Sequence, residues 1–200
     1  HTGDFKLSHT VIPGMMTDIA AFERLGEEGV LALLSDSTNV EKDGRTVSDD
    51  VIGETLRKVI ANSTGRVIVA LFASNIARIQ QIVNIIKSGN RKIVFNGRSI
   101  ESSVQTAVSL GMLHISDDME IDVDQIENYS ADEILILTTG SQGEPMSALT
   151  RMSTGMHKQI KIEKGDTVIL SSKFIPGNEK AIAAYRKNGF SIVEERCSDI

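Results

Sequence analysis

Short apolar runs alternate with amphipathic stretches along almost the whole chain, and this alternation limits the fold more than any other feature. Residues 30–35, 66–71, 92–96, 133–138, 167–170 and 191–195 read as strands, and 51–61, 76–87, 100–110, 147–152 and 178–188 as helices. In the second of these helices Ile76, Ile79, Ile82, Val83 and Ile86 recur at helical spacing and form one apolar stripe. Gly65, Gly89, Gly111, Gly165 and Gly189 stand just before strands, where helices stop. A strand reaches a parallel neighbour only through a crossover, so strands joined by helices imply parallel pairing. The predicted class is α/β, an open and mostly parallel sheet with helices on both faces.

The polar stretch 39–50, NVEKDGRTVSDD, is the best boundary, and it divides the chain into residues 1–47 and 48–200. Residues 1–38 offer little more than a strand, a short helix and another strand, too little for a core of their own; 8–18 read as a surface loop. No internal repeat or low-complexity segment occurs. With 40% hydrophobic and 24% charged residues, the composition is that of an ordinary globular protein. No apolar run approaches the roughly 18 residues needed to span a bilayer, and no charged-then-apolar secretory pattern opens the chain. Cys197 is the single cysteine, which excludes a disulfide framework and fits a reducing cytoplasm. A net charge of −6 argues against a broad basic surface for nucleic acid, and 4% aromatics without Trp argue against extensive base stacking. RNA or nucleotide contacts are therefore expected from loops, backbone N–H groups and a few arginines.

Polar residues collect where the predicted strands end. Asp4 follows Gly3; Asp36 lies in Ser35-Asp36-Ser37-Thr38-Asn39; Ser74 and Asn75 follow the strand at 66–71; Ser141, Gln142 and Gly143 follow the one at 133–138; Ser171 and Ser172 follow 167–170. Ligands of open α/β sheets bind outside the carboxyl ends of strands, so these exits are candidates for a common crevice. Free N–H donors at the start of a helix suit an anion there. The plainer reading is that Ser74 or Asn75 caps the helix beginning at Ile76, that Ser37-Thr38-Asn39 is a turn, and that Asp4 and Asp36 accept backbone N–H bonds. Pro145 suits the first turn of a helix beginning near it. Neither a Walker loop nor G-x-G-x-x-G is present. His1, His9, His114 and His157 lack ligand spacing, so a complete zinc site cannot be built from this chain; His114 and His157 read as solvent or packing residues.

Taken in order, HTGDFK, SDSTN, FASNIARIQ, TTGSQGEPMSALTRM and VILSSKFIPGNE resemble the bacterial ribonuclease J family, β-CASP members of the metallo-β-lactamase superfamily. The resemblance runs from His1 past Asn178. It implies that 1–47 end the first segment of a metallo-β-lactamase αββα domain and that 48–200 form the inserted β-CASP domain. The family's H-x-H-x-D-H motif would then lie upstream of His1, and a Ser-Gly-His motif beyond Ile200. The implied activity of the intact protein is hydrolysis of RNA phosphodiesters, both from the 5′ end and internally, with two Zn2+ ions per active site. Asp4 corresponds to the aspartate that bridges the metals, and Asp36 to an acid that orients a histidine. Ser74, Asn75, Arg78, Ser141, Gln142, Gly143, Ser171 and Ser172 would bind RNA and its 5′-monophosphate. The resemblance implies no membrane partner and leaves homo-oligomerisation open; the fragment alone is expected to be inactive. The alternatives are a non-catalytic nucleotide-binding domain of doubly wound type and a structural subunit-contact module.

Overall fold

The computed structural model describes residues 1–5, 17–38, 40–41, 43–44, 48–142, 144 and 146–172. The helix predicted at 178–188 and the strand predicted at 191–195 lie outside the described residues, as does most of the loop predicted at 8–18. The chain divides into two compact units, His1–Thr55 and Leu56–Ile200. The division falls within helix α2, Asp49–Asn62.

In the first unit, helix α1 (Ile19–Glu28) is capped by Asp18, whose carboxylate accepts the Ala21 N–H at 2.9 Å. It buries none of its residues, and Phe22 and Leu25 stay exposed. The strand expected at 30–35 is not formed. Its residues run without ladder pairing among the described residues, and Leu31, Leu33 and Leu34 are exposed. The physical reason is want of a partner: Leu34 C=O accepts one N–H, from Thr2 at 3.0 Å, and a single bond is not a ladder. Apolar character alone makes a segment able to pair, not paired.

Among the described residues the second unit is built on four strands, β1 (Val67–Ala70), β2 (Lys92–Asn96), β3 (Ile134–Thr138) and β4 (Thr167–Leu170). They lie in the order β2-β3-β1-β4, and every pairing is parallel, with Val67 opposite both Leu135 and Thr167. The expected open parallel α/β sheet is thus observed. β1, β2 and β3 read as nearly continuous apolar runs because both faces are covered. On one face Ile68, Ala70, Val94, Ile134 and Ile136 form a core with Ala148, Leu149 and Met152 of helix α5 (Ala148–Ser153). Val123 and Ile126 of a short 3-10 segment, Val123–Asn128, pack on the same core. The alternate residues Val67, Val69, Ile93, Leu135 and Leu137 are equally buried and point to the opposite face. That face is covered by α3 (Ile76–Ile86), which buries Ile79, Ile82, Val83 and Ile86 and contacts α4 (Arg98–Ser109).

Two arginines fasten the amino edge of the sheet. Arg66 makes a bidentate pair with Asp166, at 2.9 and 2.7 Å, tying the start of β1 to the start of β4. Arg91 donates to the carbonyls of Ser63 (2.6 Å), Gly65 (3.0 Å), Ile134 (3.0 Å) and Ile60 (3.4 Å). It thereby caps the end of α2 and joins it to the entrances of β1 and β3. Neither role was visible from the sequence, since each joins residues distant along the chain.

Candidate functional site

Parallel pairing brings all four carboxyl ends to one edge. From β1 the chain crosses β3 to reach β2, and from β3 it crosses β1 to reach β4. The two connections leave adjacent strands over opposite faces, the arrangement at whose strand exits ligands of open α/β sheets bind. Leu71 N–H still bonds to Thr138 C=O at 3.1 Å and Ser171 N–H to Ala70 C=O at 2.8 Å, so the exits stay in register just beyond the strands.

At the β1 exit, Asn75 N–H closes a turn onto Phe72 C=O at 2.9 Å. Asn75 is the N-cap of α3, its Oδ1 accepting the Arg78 N–H at 3.1 Å. The plain capping role therefore holds for Asn75, while Ser74 beside it is exposed at the same helix start. Arg78 is only 7% exposed, and its Nη1 donates to Gln81 at 2.9 Å. A guanidinium charge and the positive end of an eleven-residue helix therefore lie together at this exit. Phe72, the first residue of this exit, is 41% exposed.

The β3 exit differs from expectation. Its helix begins at Ala148, with Ser147 as N-cap accepting the Thr150 N–H at 3.3 Å; it does not begin near Pro145. The Ser147 hydroxyl, by accepting that N–H, fixes the start of the helix at Ala148. Pro145 and Gly143 lie outside the described residues. Ser141 and Gln142 are not open to solvent but 1% and 4% exposed. The Gln142 amide donates to the Ser172 hydroxyl at 3.0 Å, so the β3 and β4 exits meet across that of β1. Ser171 and Ser172 are half-buried. Of the residues predicted to bind phosphate, those of the second unit described here thus gather at one edge, with Ser74 the exposed hydroxyl among them.

Asp4 and Asp36 lie in the first unit. Asp4 is exposed. Asp36 accepts both the N–H and the hydroxyl of Thr38, at 2.9 and 2.7 Å, and its own N–H donates to Thr2 Oγ1 at 3.2 Å. The Thr38 hydroxyl, and then the Thr38 N–H, hold the Asp36 carboxyl below the usual carboxylate range. No three His, Cys, Asp or Glu side chains among the described residues are grouped to hold a metal ion. A catalytic zinc needs three protein ligands, so the described residues do not fit a two-zinc centre by themselves. The isolated chain is expected to bind no stoichiometric zinc and to degrade no RNA; metal analysis after dialysis, with a chelator-sensitive nuclease assay, checks both.

A larger hollow, of about 440 Å³, lies at the amino edge between Arg57, Ser63, Arg91 and Ser130. Its most central charge, Arg91, is already spent on four carbonyls, so we place the candidate site at the carboxyl edge.

A parallel α/β domain with polar strand exits defines a class that holds ligands by loop backbone and helix ends. The family model described as "Ribonuclease J, beta-CASP domain" matches residues 64–187. Ribonuclease J of Mycobacterium tuberculosis (strain H37Rv) is 45% identical over 182 residues, 91% of this chain and 33% of the relative. That of Helicobacter pylori (strain 26695) is 45% identical over 184 residues, 92% of this chain and 27% of the relative. Ribonuclease J2 of Bacillus subtilis (strain 168) is 44% identical over 178 residues, 89% and 32% respectively. The chain belongs to the ribonuclease J family and contains its β-CASP domain. It spans about a third of the length of these relatives.

Proposed function

We propose that this chain grips RNA for a ribonuclease, and that the intact protein hydrolyses RNA phosphodiesters from a 5′-monophosphorylated end and internally. The observation that carries the reading is the exposed Ser74 at the N-terminus of α3, beside buried Arg78 and opposite the Gln142–Ser172 bridge, in a chain of this family. A phosphate placed there meets the Ser74 hydroxyl and a positive helix end, and needs no sequence-reading groups. Ser74, Asn75 and Arg78 take the 5′-phosphate; Ser141, Gln142, Gly143, Ser171 and Ser172 shape and line the same edge. Hydrolysis by the intact protein is assigned to a pair of zinc ions. Asp4 is the ligand contributed from here, and Asp36 orients a histidine of that centre. The location is cytoplasmic, in keeping with one cysteine and with no helix among the described residues long and apolar enough to cross a membrane.

The test compares 5′-phosphorylated with 5′-hydroxyl RNA. Ser74→Ala is expected to reduce the preference for the phosphorylated end about tenfold, the weight of one charge-assisted hydrogen bond, at unchanged stability. Asn75→Ala should cost about 1 kcal/mol by removing the cap, whereas Asn75→Ser keeps it. A Ser74→Ala protein that folds normally and retains its full end preference would leave this edge a helix cap and nothing more.

A further inference from the structure

Two buried polar atoms on the other side of the sheet's carboxyl edge lack hydrogen-bond partners. Asn96, the last residue of β2, is 5% exposed, and its Oδ1 is unpartnered; the Nε of Arg151 on α5 is likewise buried and unpartnered. Among the described residues these are the only side-chain atoms in that condition. Native interiors keep few such atoms, and each one calls for a ligand or water. Both residues line one groove of about 390 Å³, together with Arg98, Glu101, His157 and Lys158. The pleat explains the meeting: Asn96 is two residues beyond Val94 and shares its face, which is the face α5 covers.

The groove's chemistry narrows the ligand. An orphan acceptor and an orphan donor on residues that line one groove suit a hydroxyl, which both donates and accepts. Arg98, Arg151 and Lys158 bring three positive charges against the one carboxylate of Glu101, in a chain whose net charge is −6. Glu101 is itself held by the Gly97 N–H at 2.9 Å. His157 Nδ1 accepts the N–H groups of Gln159 and Ile160, at 3.3 and 3.1 Å, which leaves Nε2–H as its donor. A water would satisfy the two orphans but leave the cations without purpose. A hydroxyl attached to a phosphate answers both.

We propose that this groove is a subsite for a ribose–phosphate unit, with a sugar hydroxyl seated between Asn96 and Arg151 and the phosphate held by Arg98 and Lys158. It is separate from the β1 and β3 exits, and it rests on the RNA reading above only for the source of that unit. A hydroxyl that carries recognition separates RNA from DNA.

Binding to the intact protein of a single-stranded RNA, the DNA of the same sequence and a free ribonucleoside 5′-monophosphate, each across a salt series, tests it. Arg98 and Lys158 are exposed, so the double variant Arg98→Ala/Lys158→Ala folds normally. It is expected to weaken RNA binding about tenfold and to flatten the slope of log K against log salt by about 0.7, the contribution of one phosphate contact on a single strand. Arg151→Met is expected to lower the preference for RNA over DNA with little change on DNA. Binding of the free nucleotide but not RNA, with the same losses in the variants, supports the subsite and overturns the RNA reading. RNA hydrolysed and bound equally by every variant, with the RNA-to-DNA ratio unchanged, overturns the subsite and spares the RNA reading. No binding in any arm also overturns the subsite.

Discussion

Asp4→Ala is expected to abolish RNA hydrolysis by the intact protein and to lower its zinc content, while Asp36→Ala slows turnover about 10–100-fold with zinc near normal, the usual cost of losing a group that orients a ligand. The two carboxylates are held differently, which is why different roles are proposed for them. Asp4 is exposed, next to Gly3 with its positive φ of 62°, whereas Asp36 is tied to Thr38 twice and to Thr2 once. The two bonds from Thr38 fix the direction of the Asp36 carboxylate, which suits the proposed orienting role. Zinc analysis in which both variants lose metal equally would sink this division of roles.

Gly140→Ala is expected to destabilise the protein by about 3 kcal/mol or more and to take the carboxyl edge with it. Gly140 sits at φ 111°, where side chains are strained. A Cβ there would stand 2.7 Å from Ser147 Cβ, closer still to its Oγ, and 3.1 Å from Leu149 Cβ. Ser147 would have to move, and with it the cap of α5 and the turn that carries Gln142 to Ser172. Gly89→Ala is the control: its nearest neighbour would be Ile86 C=O at an ordinary 3.6 Å, and its φ is not in the left-handed region. Denaturant unfolding of the pair decides the matter; equal midpoints would show that the close approach of Ser147 relaxes without cost.

The framework was legible because it rests on local signals. β2 and β4 fall where their apolar runs fall, at 92–96 and 167–170, and α3 follows its stripe and its Asn75 cap. The order β2-β3-β1-β4 was not legible, since apolar runs of similar character do not name their neighbours. The strand expected at 30–35 failed for the same reason, having an apolar run and no ladder partner among the described residues. At the site, the strand exits pointed to Ser74, Gln142 and Ser172, but not to the bond between Gln142 and Ser172, thirty residues apart. The Asn96–Arg151 groove was missed altogether. Its signal was a polar residue ending an apolar strand, Phe95-Asn96-Gly97-Arg98, the same kind of exit that drew attention elsewhere.

The sheet order also bears on how the chain is made. Of the four described strands β1 comes first in the chain, yet its two neighbours in the sheet are β3 and β4, the last two of the four. Val67–Ala70, buried on both faces in the finished sheet, lacks both of these neighbours until Ile134–Thr138 has emerged. At about 5–20 residues per second that is roughly 3–13 s of translation with an unpaired, wholly apolar edge. A nascent chain of this kind needs shielding on the ribosome, and a pause just after β3 would shorten the hazard while one just before it would lengthen it.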